Sequence, residues 1–157
     1  MGRPSNVNKA VDAVSHLSLR NQIRHLCAEQ LGSGQFRDVF VLRQDRRFVV
    51  KIERDFSTGQ FANASEWRNY IDNREDWFIR EWLAPCARIT DNSQILIMRR
   101  ARHAALEAYP RYIPAWLTDC KRTNYGFIGR RFVCCDYSFL TRETRRMKRA
   151  RWWELET

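Results

Sequence analysis

Glycine and proline are scarce in this 157-residue chain, at 6 and 4. That excludes a collagen-like repeat and a loop-dominated low-complexity protein. Cysteine is limited to Cys27, Cys86, Cys120, Cys134 and Cys135, an odd count with no C-x-x-C spacing, beside only three histidines. Neither a disulfide framework nor a zinc site fits that inventory, and the thiols read as buried structural groups of a reducing compartment. No run approaches the ~18 apolar residues of a membrane span, and the N-terminus has no signal-like apolar stretch, so the expectation is a cytoplasmic protein without a membrane partner. The last scarcity is lysine: only four of the 28 basic residues are lysine and 24 are arginine. Against these absences stand 44% hydrophobic and 13% aromatic residues, enough for one packed domain. The net charge of +10 nominates nucleic acid, a phosphate-bearing ligand or an acidic partner.

The pattern along the chain is that of an α+β domain with no internal repeat. Val7, Val11 and Val14, then Leu19, Ile23 and Leu26, fall at helical spacing and predict one or two short N-terminal helices. From Gln30 the texture turns extended: Leu31, the Gly32-Ser33-Gly34 turn, Phe36 to Leu42, a polar turn, and Phe48 to Ile52 predict three strands. Phe61 to Ile71 returns to helical spacing. Ala87 to Thr90 and Ile95 to Met98 flank an Asp91-Asn92-Ser93 turn and predict two more strands. A brief helical turn before Tyr109 and a small hairpin, Phe127–Ile128 with Phe132–Asp136 around Gly129-Arg130, complete the core. Thr141 to Trp153 reads as a terminal helix carrying six basic residues between Arg142 and Arg151.

Two glycines between strands are explained equally well by a hairpin turn or by a phosphate-cradling loop. Val39 on the following strand and Val49-Val50-Lys51 on the next favour the second, because such a lysine can reach under the glycine turn toward phosphates. In this region the chain resembles the small lobe of a protein kinase. The resemblance implies a glutamate on the next helix that holds the lysine. Glu66, fifteen residues after Lys51, is the candidate, with Glu75 and Glu81 as competing carboxylates.

The second half extends the likeness. Asp119-Cys-Lys-Arg-Thr-Asn124 matches the family's D-x-K-x-x-N catalytic loop, and Asp136, twelve residues after Asn124, stands where the family has its metal-binding Asp-Phe-Gly. Four lysines serve the whole chain, and two of them, Lys51 and Lys121, fall where a kinase fold uses lysine. The likeness implies a five-stranded antiparallel small lobe with one helix (31–100), a strongly reduced large lobe (101–140), an N-terminal helical segment (1–30) and a basic C-terminal helix (141–157). It implies ATP and Mg²⁺ as cofactors. Gly32, Ser33, Gly34, Gln35 and Phe36 would cradle the phosphates, with Lys51 on their α and β positions. Val39, Met98 and Arg100 would border the adenine, Met98 near the gate of the pocket and Arg100 in the Ile97–Ala101 hinge. Asn124 and Asp136 would hold the metal, Asp119 would accept the hydroxyl proton, and Lys121 would steady the moving phosphoryl group.

The chain departs from the family where Arg37 replaces the third loop glycine, Leu117-Thr118 replaces His-Arg before Asp119, and Ser138 replaces the Asp-Phe-Gly glycine. Neither an activation segment nor an Ala-Pro-Glu motif is present, so the peptide platform of ordinary protein kinases is not encoded. In this abbreviation the chain resembles small kinase-like proteins of bacteriophages and mobile elements. Two functions remain in view: a minimal phosphotransferase acting on a protein hydroxyl, on a host protein if the chain is phage-borne, or an inert pseudokinase-type module that inhibits or bridges such a protein. The Arg142–Arg151 segment, +5 in all, is open to a solvated face, an acidic protein, a homodimer partner or nucleic acid, the last not favoured.

Overall fold

The computed structural model describes residues 6–54, 61–140 and 145–153. The fold is α+β, with nine strands, four α-helices and a five-stranded antiparallel sheet among those residues. The chain divides into two compact units: Met1–Trp67 with Pro85–Arg100, and Arg68–Ala84 with Ala101–Thr157.

The first unit is built on the sheet β1(Cys27–Ser33), β2(Arg37–Leu42), β3(Phe48–Glu53), β4(Cys86–Ile89) and β5(Ile95–Arg99), in the order β1-β2-β3-β5-β4. Directly paired residues share a face, and successive residues alternate between faces. The register Phe40↔Val50↔Ile97, with Ile52↔Ile95, therefore gathers Phe40, Val50, Ile52, Ile95 and Ile97 on one side. Helices α1(Asn6–Val14) and α2(Leu19–Leu26) cover that side: Val7, Val11, Val14 and Leu26 join Leu42, Val50, Ile52, Ile95 and Ile97 in one buried cluster. The two N-terminal helices thus supply four of the ten buried residues of this core. On the opposite face the register Val39↔Lys51↔Leu96, with Arg37↔Glu53 and Val49↔Met98, sets two basic groups and a carboxylate among apolar neighbours. The first half of α3(Ala62–Asn73) packs there through Asn63 and Glu66.

The second unit holds the end of α3, the short α4(Trp77–Arg80), and two small ribbons, β6(Tyr112–Pro114) with β9(Met147–Arg149) and β7(Tyr125–Ile128) with β8(Arg131–Cys134). Asp76 starts α4 by accepting the Phe78 N–H at 2.9 Å. The β7–β8 turn is two residues, Gly129-Arg130, with Gly129 at φ 62°, a conformation glycine adopts without strain. An aromatic core of Tyr109, Tyr125, Phe127, Phe132 and Trp152 closes this unit, with Tyr125 and Phe132 stacked at 5.6 Å.

The expected C-terminal helix is corrected by β9: residues 147–149 are a strand, and residues 141–144 lie outside those described. A helix through this segment would stack Arg142, Arg145, Arg146 and Arg149 at repelling three- and four-residue spacings, with too few apolar residues for a buried face. The strand instead finds backbone partners: Ala115 N–H donates to Arg146 O at 2.8 Å and Ala150 N–H to Arg111 O at 2.9 Å. The turn expected at Gly32-Ser33-Gly34 also shifts, since β1 continues through Ser33 and the reversal is closed by Gly34 N–H on Arg37 O at 2.8 Å.

Gly126 marks the tightest backbone approach. A Cβ there would stand 2.8 Å from Arg102 O and 3.0 Å from Ala101 Cβ, while Arg102 and Phe127 exchange both backbone hydrogen bonds. Gly126→Ala is expected to lower stability by about 1–3 kcal/mol through this overpacking, read from urea midpoints. An unchanged midpoint would mean that the Arg102–Phe127 pairing opens freely.

Candidate nucleotide and phosphoryl-transfer site

Lys51 and Glu66, the pair that the kinase resemblance implies, are in contact: Lys51 Nζ donates to Glu66 Oε2 at 2.7 Å, with both side chains buried. Strand β3 points Lys51 at the face covered by α3, and Glu66 is fully buried on the facing side of that helix. The competing carboxylates fall in the second unit, Glu75 after the end of α3 and Glu81 just after α4.

Sequence reasoning missed three members of this cluster. Arg37, noted only as a departure from a glycine, is 7% exposed and donates to Glu66 Oε2 at 2.6 Å and to Asn63 Oδ1 at 3.2 Å. Asn63 donates through Nδ2 to Lys51 O at 3.1 Å and Gln94 O at 2.9 Å, and its backbone N–H donates to Glu53. Among the described residues two cations and two carboxylates meet here, so that buried charge faces opposite charge. The missed signal was strand alternation: Arg37, across from Glu53 and two residues from Val39, belongs to the same face as Lys51.

The glycine loop is exposed from Leu31 to Gln35, with Phe36 half-buried. Neither Gly32 nor Gly34 has a positive φ, and a Cβ at Gly32 would meet nothing within 4 Å. The loop is tied from below: Arg54 N–H donates to Phe36 O at 3.0 Å, and the Arg54 guanidinium pairs with Asp38 and meets Ser33 Oγ. Val39 lies directly opposite Lys51. Met98 is fully buried within β5, opposite Val49 and Cys86. Two amides of the segment expected to border adenine are already committed, Arg99 N–H to Pro85 O and Arg100 N–H to Arg47 O, each at 2.8 Å. Arg100 therefore cannot offer its own N–H to a ligand without losing that bond.

In the second unit the Asp119–Asn124 loop folds back on itself. Asp119 Oδ1 accepts from Lys121 N–H at 3.1 Å, Oδ2 from Asn124 Nδ2 at 2.9 Å, and its carbonyl from the Tyr125 hydroxyl at 2.8 Å. Burial pushes the Tyr125 phenol far above its ordinary range, which keeps it a donor to that carbonyl. Asp119 is exposed and Asn124 half-buried. Cys135 N–H donates to Asn124 O at 2.8 Å, which places Asp136 one residue from the loop's asparagine. Asn69 of α3 donates to Tyr137 O at 2.8 Å and Ser138 O at 3.1 Å, fixing the segment after Asp136. Ser138 Oγ is buried with no hydrogen-bond partner among the described residues.

Magnesium in phosphate-binding sites takes one or two protein oxygens and completes its shell with phosphate and water. Asn124, its Nδ2 committed to Asp119, keeps Oδ1 as its acceptor, and Asp136 is an exposed carboxylate beside it in the hydrogen-bond pattern. These residues fit such a two-oxygen donor set. Among the described residues no three of His, Cys, Asp or Glu converge as a protein-only metal cage.

An open cleft of about 690 Å³ against α1 and α2, lined by Lys9, Val14, His16, His25 and Gln44 among others, contains none of the nominated residues. The four cysteines Cys27, Cys86, Cys120 and Cys134 are buried free thiols, and burial pushes Cys27 up to about 12. No helix among the described residues is long and apolar enough to cross a membrane. Comparison with protein-family models, curated proteins and solved structures finds no match.

Proposed function

We propose that this chain is a minimal kinase-like phosphotransferase that binds ATP with Mg²⁺ and transfers phosphate to a protein hydroxyl. The observation that carries the reading is the buried Lys51–Glu66 pair at 2.7 Å on a strand and the helix that follows it. In phosphoryl transfer a strand lysine fixed by a helix carboxylate neutralises the α and β phosphates, and Glu66 holds Lys51 in place. Asn124 and Asp136 hold the metal, whose charge offsets that of the triphosphate. Asp119 accepts the hydroxyl proton, and the Asn124 amide orients its carboxylate. Lys121 steadies the transferred group.

A second reading, an inert pseudokinase-type module that blocks or bridges a protein, is favoured by Arg37. It holds the same Glu66 oxygen as Lys51, so a second cation competes for the carboxylate that would position the lysine.

Binding is checked by thermal denaturation with millimolar ATP and MgCl₂. At a hundredfold excess over Kd the ligand adds about 2.7 kcal/mol, an upward shift of roughly 5–10 °C for a protein of this size. Lys51→Met and Asp136→Ala should each remove most of that shift. The same shift without magnesium, or no shift in the parent protein, contradicts the nucleotide site itself.

A further inference from the structure

The segment read from sequence as a helix is one strand of a basic ribbon. Tyr112↔Arg149, Ile113↔Lys148 and Pro114↔Met147 pair in register. Ile113 is fully buried, so the alternate face, with Tyr112, Met147 and Arg149, turns outward at 60% and 46% exposure for the first two. Within 111–114 and 145–153 there are six basic residues and no acidic one. Arg145 is spent locally, 3.8 Å from Asp76 and over the Phe78 ring at 5.9 Å. Arg111, Arg146, Arg149 and Arg151 are exposed and form no ion pair with a described residue.

Aromatic groups are interleaved with this charge. Beyond β9, Trp152 turns inward and donates to Pro110 O at 3.1 Å, whereas Trp153 is 44% exposed. The Trp153 backbone is held rigidly by the Asp119–Asn124 loop, with Arg122 N–H on its carbonyl at 2.9 Å and its own N–H on Cys120 O at 3.2 Å. One exposed ring thus stands on the ribbon and another just past its end, both on fixed backbone.

We infer that this ribbon binds single-stranded nucleic acid. Arginine side chains neutralise phosphates and stack on bases, and exposed aromatic rings on a rigid frame gain from a partner only when its bases are unstacked. A duplex hides its base faces, and an acidic peptide has none. The inference does not rest on Lys51 or Asp136, although Trp153 adjoins the Asp119–Asn124 loop and its ring faces Lys121 Nζ at 6.0 Å; Tyr112, on the ribbon itself, is the ring the test addresses.

The test is fluorescence anisotropy without nucleotide, using labelled 20-mers of oligo(U) and oligo(dT), a 20-bp duplex and a 20-residue polyglutamate. Both single strands should bind, with affinity falling about 50-fold from 50 to 200 mM salt if four basic groups meet phosphates, at a slope of about −0.7 per contact. Duplex and polyglutamate should bind at least tenfold more weakly; a preference between oligo(U) and oligo(dT) identifies the sugar and supports the inference either way. Tyr112→Ala should weaken binding by roughly 5- to 100-fold with the salt slope unchanged. Arg149→Gln with Arg151→Gln should flatten that slope by about 1.4. If Tyr112→Ala fails to fold, Arg151→Gln alone, outside the paired strand, should flatten it by about 0.7. Absence of binding at 50 mM salt, polyglutamate bound as tightly as oligo(U), or a folded Tyr112→Ala with parent affinity would each overturn the inference, and tight polyglutamate binding would assign the ribbon to an acidic protein.

Discussion

Glu66→Ala is expected to destabilise the protein by about 3–5 kcal/mol in urea denaturation, a large share of the 5–15 kcal/mol that holds a typical domain together. The side chain is fully buried, and one of its oxygens accepts from both Lys51 at 2.7 Å and Arg37 at 2.6 Å. Removing it takes the nearest anion from two buried cations at once, and neither can move to water without opening the face between β3 and α3. Lys51→Met should cost less, because Glu66 keeps Arg37 as a cationic partner, whereas Glu66→Ala deprives both cations at once. The ordering of the two is the informative result. Equal losses, or a loss below about 1 kcal/mol for Glu66→Ala, would mean that water reaches the cluster and that its balance is not what holds it.

That asymmetry also bears on why the cluster exists. Four buried charges are weak evidence for stability, since well-packed apolar side chains of similar volume often serve as well or better. Lys51 is one of only four lysines beside 24 arginines, and it stands buried in this cluster. A compact ammonium on a flexible stem can leave part of its hydrogen-bonding capacity to a phosphate, which a guanidinium locked in two directions cannot do as readily.

How far the sequence disclosed this arrangement depended on the range of the interactions. Helices α1 and α2 and strands β2, β3 and β5 were legible because their apolar periodicity reports a face that the chain itself must bury. Lys51 with Glu66 was legible only through the resemblance to a kinase small lobe, which implies a strand lysine met by a glutamate of the next helix. Arg37 was misread because attention to a missing glycine hid the strand alternation that places it beside Lys51. The β6–β9 ribbon was invisible for another reason: its hydrogen bonds join residues more than thirty positions apart, and three-residue strands carry no period of their own. The four residues of α4 are likewise too few to show one, and its start rests on the single Asp76 cap.

The second large effect concerns chemistry. Asp119 is exposed, yet its carboxylate is fixed by Lys121 N–H and the Asn124 amide, the geometry expected of a group that must meet an incoming hydroxyl in one orientation. Asp119→Ala should lower magnesium-dependent transfer by about 10²–10⁴-fold, the usual contribution of a positioned base, while most of the ATP-induced thermal shift survives even though Asn124 loses the partner of its Nδ2. Asp136→Ala should abolish both transfer and the thermal shift if, as proposed, its carboxylate serves the metal. That split between the two aspartates separates a base from a ligand, which a general loss of folding would not do.

The most direct test of the account is therefore incubation of the purified protein with γ-labelled ATP and MgCl₂, alone and with a bacterial lysate, beside Asp119→Ala and Asp136→Ala. The account predicts magnesium-dependent label on protein that both substitutions remove. Label that persists unchanged in both variants, or ATP-stabilised protein that transfers none, would contradict the phosphotransferase; the latter would leave the chain a nucleotide-binding module.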